Sequence, residues 1–182
     1  MKLRIVFQSL LVLLLMAVVI PCFADDDDHS WRFWKGERSH GDVAAVNNTL
    51  YKKECGECHF AYQPGLLPSA SWQKIMTGLN NHFGDNAELD PEDAKSILSY
   101  LQLNAADVVG SKFAGWARGT APLRITEMSK FRHEHDELPR AILSKNSQVK
   151  SLSNCIACHT GADAGSFDEN QIKIPGIGRW DD

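Results

Sequence analysis

Two copies of one five-residue pattern constrain this chain more than any other feature. The first is Cys55-Gly56-Glu57-Cys58-His59 and the second is Cys155-Ile156-Ala157-Cys158-His159. Cys-x-x-Cys-His is the attachment signature of c-type haem. Its two thiols form thioethers with the haem vinyl groups, and the adjacent imidazole binds iron from the proximal side. The spacing has a physical cause. On a helix, positions i and i+3 project from one face, so both sulfurs reach one edge of a flat ring. Two motifs predict two covalently bound haem c groups. Cys55, Cys58, Cys155 and Cys158 would anchor them, with His59 and His159 as proximal ligands.

Other uses of two Cys-x-x-Cys pairs fit less well. A zinc site or a pair of disulfides leaves the two matched histidines unexplained. A redox dithiol would not be expected twice without a thioredoxin-like βαβ pattern, and the sequence has none.

The amino terminus supports the haem reading independently. Lys2 and Arg4 form a short basic region, followed by an apolar stretch from Ile5 to Ile20 broken only by Gln8 and Ser9. Pro21-Cys22-Phe23-Ala24 then places small residues where a signal peptidase reads them. Residues 1–24 are expected to be a secretory signal cleaved after Ala24. The competing reading is an uncleaved anchor, but the apolar run is short for a membrane span. Pro21 also argues against lipidation at Cys22. Cleavage would remove Cys22 and leave four cysteines, all within the two motifs. The expected location is the periplasm, and c-haem is attached outside the bacterial cytoplasm.

Removing residues 1–24 leaves 158 of the 182 residues, and losing Lys2 and Arg4 moves the formal charge from −4 to −6. That length suits one domain or two small lobes. No basic stripe points to nucleic acid. An acidic carrier suits a redox partner with a basic docking patch, approached by long-range steering. The Asp25–Asp28 run reads as a solvated part of an acidic and aromatic tail over residues 25–40.

The rest reads as a mainly α chain in two small haem-binding lobes, residues 41–106 and 107–182. In the first, Val43, Val46 and Leu50 predict a helix over 43–51 leading into Cys55. A loop rich in turn formers runs from Ala61 to Pro68. Trp72, Ile75, Met76, Leu79 and Phe83 then predict one helix over 72–83, capped by Ser69 or Ser71 and stopped at Gly84. Asp90, Pro91, Glu92 and Asp93 start another helix, whose buried stripe is Ala94, Ile97, Leu98 and Leu101. This order resembles a small class I cytochrome c core. The second lobe is loop-rich, with Gly110, Gly115, Gly119, Pro122 and Pro139 as punctuation. Thr126 caps a short helix reaching His135, and the glycine-rich tail after His159 has little regular structure.

Each iron needs a decision on its far side. Methionine raises the potential, histidine lowers it relative to methionine, and an open position permits ligand binding. The candidates are His29, His40, His82, His133, His135, Met76 and Met128. On a helix over 72–83, His82 and Met76 both flank the apolar face, and covering a haem favours His82 for haem 1. Met128 is a more distant alternative. For haem 2, Phe131 and His135 share a face at a four-residue step, whereas His133 points away, which favours His135. His29 and His40 lie outside any recognisable helix and read as surface residues.

Longer stretches carry a family resemblance. Glu54 through Pro68, Ser71 through Met76, Asn81-His82-Phe83-Gly84, Arg124-Ile125-Thr126 and Ser153 through His159 with Gly165-Ser166-Phe167 resemble small bacterial dihaem cytochromes c. The similarity covers about residues 50 to 175. It implies two low-spin, bis-histidine haems, with the distal histidines falling on His82 and His135. His133 is an addition to the family pattern. The resemblance also implies electron exchange with other haem proteins, such as a monohaem c-type cytochrome or a membrane b-type cytochrome.

The expected function is that of an exported dihaem electron carrier rather than an enzyme. The alternative is a small peroxidase-like or ligand-binding haem protein with one open iron. No permanent membrane span is expected after signal cleavage.

Overall fold

The computed structural model describes residues 42–180. The expected signal segment over residues 1–24, the expected tail over residues 25–40, His29 and His40 lie outside the described residues. The described chain is mainly helical, with six short α-helices, several 3₁₀ turns and one small hairpin.

Helix α1, Thr49–Gly56, starts where the Asn48 side chain accepts a hydrogen bond from the Tyr51 amide. It begins later than the apolar spacing predicts. Val43 and Val46 are buried but lie ahead of the helix. The Val43 amide donates to the carbonyl of Gly165 at 3.1 Å, so this segment is held by a distant partner rather than by helical bonds.

Helix α2, Ser69–Thr77, is shorter than expected. Gly78 ends it, and a 3₁₀ turn at Leu79–Asn81 follows. His82 therefore stands beyond the helix, bridged to Asp85, and not on a continuous helical face. Trp72 is buried and its indole N–H donates to the Pro64 carbonyl at 2.8 Å.

Helix α3, Pro91–Leu103, forms as the sequence predicts. The Asp90 carboxylate accepts from the Glu92 amide, Pro91 occupies the first turn, and the acidic first turn complements the helix dipole. Ile97 and Leu101 are fully buried, and each such side chain contributes roughly 1.5–3 kcal/mol. α3 packs on α2, and Gln102 donates to Gln73 across the pair. Helix α4, Ala106–Val109, closes on left-handed Gly110.

From there 3₁₀ geometry dominates, as at Lys112–Ala117 and Ile125–Glu127. The helix expected from Thr126 begins instead at Ser129, because Met128 is still extended; α5 is Ser129–Glu134. Helix α6 is Arg140–Lys145. The tail after His159 carries more order than its glycine content suggests: 3₁₀ turns and an antiparallel pair, β1 Lys173–Ile174 with β2 Gly178–Arg179.

The largest core cluster joins Tyr51, Trp72, Ile97 and Leu101 to Met128 and Phe131. A second cluster joins Val43 and Leu66 to Ala106 and Phe113. A third, around Ile142, Val149 and Ile174, packs against Ala157 and Cys158.

Candidate haem-binding sites

The first Cys-x-x-Cys-His straddles a helix end. Cys55 is in the last turn of α1, Glu57 caps it, and Cys58 and His59 follow. The second motif forms a 3₁₀ turn, Cys155–Ala157, closed by the Cys158 amide on the Cys155 carbonyl at 3.2 Å. In a 3₁₀ turn, positions i and i+3 eclipse. Both sulfurs of the second motif thus lie on one side without a full α-helix.

No disulfide joins Cys55, Cys58, Cys155 and Cys158. Burial pushes Cys55 and Cys155 up to about 11, with Glu54 adding to the effect on Cys55. Burial raises Cys158 as well. A redox dithiol needs the opposite, a thiol whose anion is favoured. Burial favours the neutral thiol at Cys55, Cys155 and Cys158, the reverse of the activated thiolate of a redox dithiol.

The histidines come together in two pairs. The ring centres of His59 and His82 are 6.2 Å apart, with planes 20° from parallel. Those of His135 and His159 are 6.1 Å apart, at 62°. His59 Nδ1 lies 2.7 Å from the carbonyl of Phe60, and His135 Nδ1 lies 2.8 Å from that of Phe131. A ring that donates from Nδ1 to a carbonyl presents the lone pair of its other nitrogen. His159 Nδ1 is buried without a hydrogen-bond partner among the described residues. Burial pushes His159 down to about 4, helped by repulsion from His135. Burial, His59 and Arg124 lower His82. Neutral imidazoles are the form a metal needs.

The environments of the two pairs differ. His135 stacks on Phe131 with ring centres 4.0 Å apart. A cavity of about 300 Å³ is lined by His135, His159, Cys155 and Cys158, with Ile142, Val149, Ile174 and Trp180 also in its wall. His133 also reaches the rim of this cavity. Its side chain is 72% exposed and faces Asp136 at 3.5 Å. Met128 is buried in the main core and Met76 is packed against it.

Around His82 the backbone is strained. Phe83 has φ 59°, a left-handed conformation that costs a non-glycine residue about 1–2 kcal/mol. The turn sets the Phe83 ring edge-on to His82 at 4.7 Å, and the Arg124 guanidinium lies 3.8 Å over the Phe83 ring. The sequence gives no sign of this arrangement beyond Gly84, which follows with φ 109° and extends the turn.

Among the described residues no group of three or more His, Cys, Asp or Glu is placed to hold a bare metal ion. The side chains supply paired imidazoles with pairs of thiols nearby. That set fits a metal carried in a flat ring that brings its own equatorial donors.

Comparison with known proteins points to the same kind of cofactor. The profile of the dihaem cytochrome c family matches residues 51–167. The diheme cytochrome type c of Shewanella baltica OS155 is 44% identical, with TM-score 0.63, over 74% of this chain and 98% of that one. The diheme cytochrome c of Rhodobacter sphaeroides is 42% identical, with TM-score 0.61, over 69% of this chain and 100% of that one. No match was found among curated proteins.

Proposed function

Since the chain belongs to the dihaem cytochrome c family and carries two haem c groups, we propose that it is an exported electron carrier with each iron closed by two histidines. Haem supplies a one-electron valence change. The polypeptide's part is to anchor both rings, close both irons and exclude other ligands. Cys55 with Cys58, and Cys155 with Cys158, hold the rings. His59 and His159 are the proximal ligands, and His82 and His135 the distal ones.

The spacing of the two imidazole pairs carries this reading. Two imidazoles sharing one metal through nitrogen bonds of about 2 Å, with half a ring added on either side, stand about 6 Å apart. The pairs stand at 6.2 and 6.1 Å. Carbonyls hold the rings of His59 and His135 at Nδ1 and leave the far nitrogen for iron. An iron closed on both sides changes valence with little rearrangement, which favours transfer over bond chemistry. Bis-histidine ligation also implies potentials below those of His/Met haems.

The signal segment over residues 1–24 supports a periplasmic location. Among the described residues no helix is long and apolar enough to cross a membrane. The formal charge of −6 left after loss of residues 1–24 suits docking to a redox protein with a basic patch, such as a monohaem c-type or a membrane b-type cytochrome.

The test is carbon monoxide added to the dithionite-reduced protein, followed by visible absorption. The expected result is no spectral change. A shift in one of the two haems would mean an open iron, and would favour a small haem enzyme or ligand-binding protein instead.

A further inference from the structure

Tyr62 and Gln63 follow the first haem motif, three and four residues after His59. Their side chains take hold of the second haem-binding segment at both of its ends. Tyr62 Oη donates to the carbonyl of Ser153 at 2.7 Å, two residues before Cys155. Gln63 Nε2 donates to the carbonyl of Ala162, three residues after His159. The Ser153 carbonyl is also 3.7 Å from Cys155 Sγ. On the near side, the Tyr62 ring lies 5.3 Å from that of His59, and Tyr51 Oη donates to the Tyr62 carbonyl at 2.7 Å. Gln63 is fully buried. A second cavity, of about 630 Å³, is lined by residues of both segments, among them Cys58, His59 and Tyr62 with Ser153, Asn154 and Ile156.

These bonds are an expensive way to fill space. A buried amide and a half-buried phenol must be desolvated, and the return on each hydrogen bond is small. Gln63 Oε1 finds no partner among the described residues, which adds to the cost. Apolar side chains of similar volume would cost less but would not fix register. Directional bonds at both ends of one segment specify position, and here the segment carries a haem.

We infer that Tyr62 and Gln63 form an inter-haem clamp: positioning residues that fix the separation and tilt of the two covalently anchored haems and so set the rate of electron exchange between them. Because thioethers tie each ring to its motif, any slip of residues 153–162 against residues 55–59 moves one haem relative to the other. In the exchange one electron leaves a ferrous iron and reaches a ferric iron in the same molecule. One iron is oxidised and the other reduced, no bond forms or breaks, and no outside oxidant or reductant is needed. Transfer through protein falls steeply with distance, so a small slip is enough to slow it. The inference rests on the carrier reading above.

The test uses the holoprotein with Tyr62→Phe, Gln63→Leu and the double variant. Two quantities are read: the inter-haem dipolar interaction in EPR of the fully oxidised protein, and the exchange rate from NMR line shapes at half reduction. In the double variant both haems remain attached with unchanged visible spectra, the dipolar interaction broadens, and exchange slows several-fold. Unchanged dipolar interaction and exchange in the double variant would overturn the clamp. Should the double variant fail to assemble, Tyr62→Phe alone decides, because it keeps the ring and removes only the bond to Ser153. The dipolar reading comes from the oxidised irons whether or not either binds carbon monoxide. Failure of the carrier reading is therefore distinguishable from failure of the clamp.

Discussion

His133 and His135 are two residues apart on one short helix and its cap, yet their surroundings differ in kind. His135 stacks on Phe131, is bonded at Nδ1 to the Phe131 carbonyl and faces His159. His133 is mostly exposed and pairs with a carboxylate. His135→Ala is expected to let carbon monoxide bind one haem in the reduced protein, with His133→Ala leaving the spectrum as it was. The reverse pattern would exchange their roles. Arg124 invites a second substitution. Its charge lies over Phe83, which touches His82. A cation near an iron favours the reduced form, so Arg124→Gln should lower the potential of haem 1. Arg124 is about half exposed, so screening holds the shift to the order of tens of millivolts. Spectroelectrochemical titration with the haems assigned by NMR would show it, and an unmoved haem 1 couple would remove Arg124 from any tuning role.

At the level of elements, the join between the segment before α1 and the tail after His159 is the most exacting. The Phe167 amide donates to Asp42 at 2.8 Å, Val43 bonds Gly165, and Lys112 pairs with Asp42 at 2.7 Å. Gly165 has φ 80°, and a Cβ there would overlap the Val43 carbonyl. Gly110 has φ 69° but open space around it. Gly110→Ala should cost about 1 kcal/mol, from backbone strain alone. Gly165→Ala should cost roughly 1–3 kcal/mol more, because Val43 must also be displaced. Guanidinium unfolding of the two variants separates strain from clash, and equal midpoints would mean the join yields freely. This join also explains what the sequence could not reveal. α3 was legible because its cap, first turn and buried stripe are all local. The Val43–Val46 segment has helical spacing but bonds a residue over a hundred positions away, which no local pattern records. The helix predicted over 72–83 overruns for a different reason. Residues that pack around a haem must be apolar whether or not they are helical, so periodicity continues past the break at Gly78. The cysteines and histidines were readable as residue types in a motif. The strained turn at Phe83 and the Tyr62–Gln63 bonds exist only once the chain is folded.

Across the described residues, the two haem motifs are a hundred residues apart, yet the main core cluster draws on both halves, even though a smaller cluster packs on the second motif alone. Tyr51, Ile97 and Leu101, from the half that holds the first motif, share the main cluster with Met128 and Phe131, which lead to His135. The Ala106 amide donates to the Leu67 carbonyl, and Ser111 Oγ to that of Gly65, so the start of α4 and the chain just after it are tied to the loop beyond His59. When contacts are shared in this way, removing one set withdraws support from the other, and the two halves are expected to unfold together. Both haems should then lose their native ligation at the same guanidinium concentration, when each is followed by its own resolved NMR resonances. Leu101→Ala sharpens the expectation. Leu101 is 1% exposed and lies in the first half of the described chain. Its truncation should cost about 2–5 kcal/mol. If the core is common, the midpoint falls equally at both haems, although Leu101 precedes the second motif by more than fifty residues. A shift at haem 1 with haem 2 unmoved would mean that the halves unfold independently, and that the cluster joining them contributes little to holding haem 2 in place.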